Sequence, residues 1–158
     1  MDATGVEIAE VAPGEPRFRQ ALEVMGELRT TRSVDELEHL YEEARRGGGY
    51  RVLALFDSGE CRAAAGCRVL TSFVDGRYLY VDDLVTTEAW RSRGYGERLE
   101  AHLREVAHDE GCEEICLASN VRRARAHRFY FRRGYAIESF NFVIRLDGSS
   151  PDSSETAS

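Results

Sequence analysis

Residues 91–96, Arg-Ser-Arg-Gly-Tyr-Gly, carry the residue types most clearly suited to chemistry, and they open an amphipathic stretch after an apolar run. Gly94 and Gly96 let the backbone approach a ligand closely. The unpaired N–H groups of a helix's first turn and the positive end of its dipole attract anions. Arg91 and Arg93 add two full positive charges. The segment therefore predicts a phosphate-binding site at the start of a helix.

Composition narrows the class of protein. The chain has 158 residues, of which 42% are hydrophobic, enough for one domain with a substantial core. No apolar run approaches the ~18 residues that span a bilayer, and the N-terminal residues lack a leader's apolar segment, so we expect a cytoplasmic protein without a membrane partner. The net charge of -7 argues against a nucleic-acid partner. The cysteines and histidines lack zinc-ligand spacing, so no metal is expected.

The hydrophobic pattern predicts the elements that must position the loop. Helices are expected around residues 16–28, 33–46, 95–110 and 122–133, and strands around 6–11, 50–56, 61–73, 77–86, 114–118, 135–138 and 140–145. Ser33 is placed to cap the second helix, and the glycines at 47–49 to end it. Turn residues at 57–59 and 75–76 predict an antiparallel meander. The strand–helix–strand unit that follows should be parallel.

These elements predict a mixed α/β fold. We expect a single domain over residues 6–146, with a mostly antiparallel sheet of about seven strands flanked by about four helices. Residues 147–158 are rich in Ser and Asp and are predicted to form a disordered acidic tail.

The context of the loop distinguishes it from other phosphate-binding loops. A Rossmann loop has three glycines after the first strand of a parallel unit, and a Walker A loop needs Gly-Lys-Ser/Thr. Here the pattern is Asp83-Leu84-Val85-Thr86, then Arg91-x-x-Gly94-x-Gly96, then Ala126-His127-Arg128-Phe129-Tyr130, ending at Gly134-Tyr135. Together these segments resemble the GNAT superfamily of N-acetyltransferases, and the element order is similar over nearly the whole domain.

The resemblance implies a sheet that splays open beside the fourth strand and a CoA thioester as the acyl donor. Backbone amides of the loop would hold the pyrophosphate of acetyl-CoA, supported by the two arginines, and the strand end would pair with the pantetheine. The residues implied to bind acetyl-CoA are Leu84, Val85, Thr86, Arg91, Ser92, Arg93, Gly94, Tyr95 and Gly96. A backbone N–H near Val85 would stabilise the oxyanion.

The resemblance also implies catalytic residues. Asp82 or Asp83 would act as the general base or hold the amine, although strand alternation sends the two to opposite faces unless a bulge intervenes. Tyr130 would be the general acid that protonates the departing thiolate. His127 is a possible proton relay. Many family members carry an asparagine where this chain has Arg123, and Asn120, three positions earlier, fits either a cofactor ligand or a helix cap.

The leading hypothesis is thus an acetyl-CoA-dependent N-acetyltransferase that transfers the acetyl group directly to a primary amine of a small molecule or peptide. Two alternatives remain open, namely an enzyme that uses a longer acyl-CoA and a noncatalytic CoA-binding module of the same fold. A homodimer is compatible with such a fold.

Overall fold

Residues 5–150, which the computed structural model describes, form five strands and four α-helices. The strands are β1 (Val6–Val11), β2 (Arg51–Asp57), β3 (Glu60–Ser72), β4 (Gly76–Thr86) and β5 (Glu114–Leu117). The helices are α1 (Pro16–Gly26), α2 (Val34–Gly48), α3 (Tyr95–Asp109) and α4 (Ala124–Arg132), and a 3-10 helix covers Glu88–Trp90. The predicted mixed α/β class and the four helices are confirmed.

The described chain divides into two compact units, one ending at Leu117 and the other beginning at Ala118. The first contains the whole sheet and the helices α1 to α3, and the second contains α4. No helix among residues 5–150 has both the length and the apolar character needed to cross a bilayer.

The sheet has the strand order β1-β2-β3-β4-β5. Its first four strands pair antiparallel in sequence order, and β5 pairs parallel with β4. The hairpin turns use Gly59 (φ 81°) and Gly76 (φ 64°), a region of backbone conformation that glycine adopts without steric penalty. The predicted meander and parallel unit are therefore confirmed.

Apolar side chains cover both faces of the sheet, because the central strands alternate between two cores. Val52, Ala54 and Phe56 of β2 pack with α1 and α2 on one face. Leu53 and Leu55 pack with α3 on the other. The continuous apolar run of β2 is thus buried on both sides.

Helix α2 begins as the sequence predicts. The Ser33 hydroxyl accepts a hydrogen bond from the Glu36 N–H (3.2 Å), and the Glu36 carboxylate accepts one from the Ser33 N–H (2.7 Å). This capping box satisfies two backbone donors at the helix start. Gly49, in the left-handed conformation, ends the helix.

The prediction of two closing strands at 135–138 and 140–145 is wrong for this structure, which has five strands among residues 5–150 rather than about seven. The segment has the alternating apolar pattern of a strand, but a strand also needs a partner for its backbone groups, and no ladder forms here. Ile137, Phe140, Phe142 and Ile144 are exposed as a result. Helix α4 also starts later than predicted, at Ala124 rather than Arg122. Most of the predicted tail lies outside the described residues.

Candidate active site

A β-bulge interrupts β4 at the predicted catalytic aspartates. Gly66 of β3 pairs with Asp83, but the next residue, Cys67, pairs with Val81. Asp82 is therefore an extra residue without a partner across the ladder. Such a bulge bends the strand and redirects its side chains.

The bulge puts both aspartates on the same face of the sheet. Val81 and Leu84 pack with α3, whereas Val85 packs with α1 and α2. Side chains alternate along a strand, so Asp82 points to the face opposite Val81, and Asp83 points to the face opposite Leu84. Both aspartates therefore point toward the α1 and α2 face. The sequence analysis expected opposite faces unless a bulge intervened, and the bulge at Asp82 is that exception, because the extra residue resets the alternation.

Asp83 is held by two partners that are distant in sequence. Its Oδ1 atom accepts a hydrogen bond from Arg29 Nε at 2.8 Å, and its Oδ2 atom accepts one from the Tyr50 hydroxyl at 2.6 Å. Arg29 also donates to the backbone oxygen of Asp82 at 3.2 Å. Both oxygens of Asp83 are therefore engaged, and the carboxylate is fixed in place.

The two carboxylate oxygens of Asp82 differ in their hydrogen bonding. Its Oδ1 atom accepts a hydrogen bond from Arg68 Nη2 at 2.7 Å. Its Oδ2 atom is buried, and nothing within residues 5–150 donates a hydrogen bond to it. Burial raises the pKa of Asp82, and the nearby Arg68 guanidinium only partly opposes this. A buried polar atom without a partner costs about 1–3 kcal/mol, so this oxygen is suited to binding an N–H donor.

Gly66 makes room for the Tyr50 side chain. A Cβ atom at position 66 would lie 1.7 Å from the Tyr50 hydroxyl oxygen and 2.3 Å from its ring carbon Cζ. The bare glycine lets the ring cross β3 and reach Asp83 on the paired strand. Burial, reinforced by the charge of Asp83, raises the pKa of Tyr50, so its hydroxyl stays protonated and donates.

Sequence reasoning missed Tyr50, Gly66 and Arg68. A lone glycine inside a strand is a known signal of a bulge or of close approach by another group, and Gly66 could have been flagged on that ground. The identity of its neighbour depends on pairing between distant segments, for which the sequence has no local signal.

Among residues 5–150, the C-terminal end of β4 has a partner strand on one side only. The β4–β5 ladder ends at the pair Val81–Leu117, whereas the β3–β4 ladder continues to Ala63–Thr86. Leu84, Val85 and Thr86 therefore lie beyond the last residue of β5 that pairs. Backbone groups on this open side can pair with an extended ligand as another strand would.

The glycine loop leads from this open edge into α3. Ser92 (φ 63°) and Gly94 (φ 81°) are both left-handed, and Gly94 is the residue that precedes the helix. Left-handed backbone is unusual for serine and turns successive N–H groups toward a concave surface, the geometry that binds anions. Arg93 is exposed and Arg91 is half-buried at the same turn. The loop therefore combines two arginines with the left-handed backbone that is typical of anion-binding turns.

Tyr130 belongs to the second unit, on α4. Its ring packs edge-on against Tyr135 with the ring centres 5.6 Å apart, and against Phe129 at 5.5 Å. The side chain is partly exposed. A partly exposed phenol can exchange protons with a bound group, as the predicted acid role requires.

Asn120 and His127 are engaged within the same unit. The Asn120 side-chain oxygen accepts a hydrogen bond from the Arg122 N–H (2.9 Å), and its backbone oxygen lies 2.9 Å from His127 Nε2. Asn120 thus stabilises the turn that precedes α4. The expectation that it caps the helix is wrong, because the N-cap residue is Arg123 and, within residues 5–150, no side chain caps it.

The family follows from comparison with known sequences. The sequence profile of the Acetyltransferase (GNAT) family matches residues 17–135, and this chain belongs to that family. Its members use acetyl-CoA, and the chain is an N-acetyltransferase by this relationship.

Individual similar proteins support the same family assignment. The uncharacterized N-acetyltransferase YhdJ of Bacillus subtilis is 33% identical over 126 residues, which cover 79% of this chain and 89% of that protein. The aminoalkylphosphonate N-acetyltransferase of Salmonella typhimurium is 37% identical over 66 residues, covering 42% of this chain and 43% of that one. A solved aminoglycoside N-acetyltransferase, AAC(6')-Iy in complex with CoA, has a TM-score of 0.77 at 13% identity, covering 89% of this chain and 93% of the other. That last similarity shows the common fold.

Proposed function

We propose that this protein transfers the acetyl group of acetyl-CoA directly to the primary amine of a small molecule or peptide, with both substrates bound at once. The observation that carries the proposal is the buried Oδ2 atom of Asp82, which no group in the described chain satisfies. An ammonium group would supply the missing donor. It would then lie at the bulge, directly before the open part of β4.

Asp82 is the proposed general base. An alkylamine has a pKa near ~10.4, so its neutral form is scarce at neutral pH, a handicap of roughly 4–5 kcal/mol. Because burial raises the pKa of Asp82, this carboxylate accepts a proton more readily than an ordinary aspartate. Asp83, held by Arg29 and Tyr50, is proposed to fix the bulge and so to position Asp82 beside the amine.

The proposed donor site combines the open edge of β4 with the loop. Acetyl-CoA supplies the acetyl group as a thioester. Backbone groups of Leu84, Val85 and Thr86 would bind its pantetheine, and the amides of residues 92–96 its pyrophosphate, with Arg91 and Arg93 adding charge. An N–H near Val85 would stabilise the oxyanion that forms when the amine attacks.

Tyr130 is the proposed general acid. Cleavage of the C–S bond leaves a thiolate, and a phenol with a pKa near ~10 can protonate it. Support for this role comes from the position of Tyr130 in the family motif and from its partial exposure.

The acceptor is proposed to carry few positive charges. Around the bulge, the carboxylates of Asp82 and Asp83 are balanced by the guanidinium groups of Arg68 and Arg29. A polycation would meet as much repulsion as attraction there. Aminoalkylphosphonates and amino acids are therefore preferred candidates over aminoglycosides and polyamines. Among the similar proteins, one is named for an aminoalkylphosphonate and another for aminoglycosides.

The experiment is an amine panel containing all four classes, with release of free CoA measured and the acetylated product identified by mass spectrometry. At least one amine should raise CoA release above the rate in its absence. Asp82→Asn should lower kcat/KM for that amine by about 10²–10⁴-fold, the usual contribution of a general base. Asp35→Asn is the matched control, since that side chain is 82% exposed on α2, and it should leave the rate unchanged. Binding of acetyl-CoA with no turnover of any amine would favour the noncatalytic module.

A further inference from the structure

Trp90 connects the phosphate-binding loop to the sheet. It is the one tryptophan in the sequence, and it ends the short 3-10 helix before the loop. Its ring contacts two guanidinium groups, with Arg62 Cζ 4.0 Å and Arg93 Cζ 4.4 Å from the ring centre. Arg62 comes from β3 and Arg93 from the loop. A single indole therefore holds a loop cation against a side chain of the sheet.

Arg62 is a rigid support for this stack. It is the extra residue of a second bulge, because Leu55 pairs with Ala63 while Phe56 pairs with Cys61. Its side chain is only 13% exposed and lies 2.5 Å from the Glu60 carboxylate. A bulge redirects a side chain, and here the redirected side chain is the one that lies over Trp90.

The backbone near Trp90 is fixed as well. The Thr87 N–H donates to the Arg62 carbonyl at 2.9 Å, and the Trp90 N–H donates to the Thr87 carbonyl at 3.0 Å. The Glu88 N–H donates to the Glu27 carboxylate at 2.8 Å, which joins the segment to the end of α1. The backbone segment that carries the indole is thus anchored both to β3 and to the end of α1.

We propose that Trp90 is a positioning residue for the pyrophosphate of the acyl donor, acting through Arg93. An exposed arginine that must be ordered on binding loses side-chain entropy, and a cation–π stack orders it beforehand. The inference rests on the proposed use of acetyl-CoA. It adds Trp90, which lies outside the loop motif, to the residues that determine the affinity for a phosphate-bearing donor.

The test compares donors with and without phosphates. Trp90→Leu should weaken CoA binding in calorimetry by about two- to twelvefold, the range expected when one rotamer-rich side chain is no longer ordered before binding. Its KM for acetyl-CoA should rise by a similar factor, with kcat at saturation unchanged. With S-acetylpantetheine, which has no pyrophosphate, kcat/KM should equal that of the wild type. Trp90→Phe keeps an aromatic face and should recover most of the CoA affinity.

A double-mutant cycle shows whether Trp90 acts through Arg93. Arg93→Leu combined with Trp90→Leu should bind CoA no more weakly than Arg93→Leu alone, whereas additive losses would overturn the proposal. Arg46→Leu, an exposed arginine on α2, is the control and should not change affinity. Equal CoA affinity in the wild type and Trp90→Leu would also overturn the proposal. So would a fall in kcat/KM of Trp90→Leu with S-acetylpantetheine that equals its fall with acetyl-CoA. Failure of the wild type itself to bind CoA would instead contradict the proposed function.

Discussion

Replacing Gly66 with alanine tests the geometry around the paired aspartates. The new Cβ would lie 1.7 Å from the Tyr50 hydroxyl and 2.3 Å from Cζ, so the Tyr50 ring must leave its place. Its hydrogen bond to the Asp83 carboxylate is then lost, and a hydrogen bond to a charged group contributes about 1.5–3 kcal/mol. The ring also gives up part of its packing against the α1 and α2 core.

Alanine has an opposing effect, because it restricts the unfolded chain. Gly66 does not have positive φ, so alanine fits its backbone conformation. Without a steric clash, the substitution would stabilise the folded protein by about 0.4–1 kcal/mol. Weighing these terms with the lost burial of the ring, we expect Gly66→Ala to lower the free energy of unfolding by about 2–4 kcal/mol. For a chain of this size the melting temperature should fall by roughly 5–15 °C.

Urea unfolding followed by circular dichroism measures the effect, with Gly47→Ala as the matched control. Gly47 lies within α2 where a Cβ would meet nothing within 4 Å, so alanine there should stabilise. In a Tyr50→Ala background the ring is gone and Gly66→Ala should cost little. A stabilising effect of Gly66→Ala in the wild type, or an equal loss in both backgrounds, would refute the argument from Tyr50.

Three further predictions concern the acid, the cofactor loop and a helix cap. Tyr130→Phe should lower kcat by about 10²-fold or more while CoA affinity measured by calorimetry stays within about twofold, because the phenol is needed only as the thiolate departs; an unchanged kcat would exclude Tyr130 as the acid. Since Trp90 is the one tryptophan in the sequence and stacks on Arg93, its fluorescence should change on titration with CoA, with a midpoint equal to the calorimetric Kd; a flat titration under saturating CoA would contradict this. Ser33→Ala should lower the free energy of unfolding by about 1 kcal/mol in urea, because it removes the capping box of α2, whereas Ser58→Ala in the β2–β3 turn should have a smaller effect.

Much of the fold could be predicted because its signals are local. The alternating and continuous apolar runs predict β1 to β4, glycines with positive φ mark the turns, and Ser33 marks the start of α2. Each of these features depends on residues that are close in the sequence. The closing strands were predicted from an equally good local pattern, yet a strand forms only where a partner is available.

The arrangement of the candidate site could not be predicted, because it depends on distant pairs. The bulge at Asp82 arises from the register of β4 against β3, and one shifted pair changes the face to which Asp83 points. The partners of Asp83 are 54 and 33 residues away in sequence, at Arg29 and Tyr50. The residue types of the site were therefore visible in the sequence, but their contacts were not.

The central claim is that Asp82 takes the proton of the amine, and the pH dependence of kcat/KM tests it most directly. A base works only when ionised, and burial raises the pKa of Asp82 above its ordinary value. Activity should be present above that raised pKa and should fall about tenfold per pH unit below it. In Asp82→Asn this acid limb should disappear and the residual rate should be low. An acid limb that persists unchanged in Asp82→Asn, at near wild-type rates, would contradict the account.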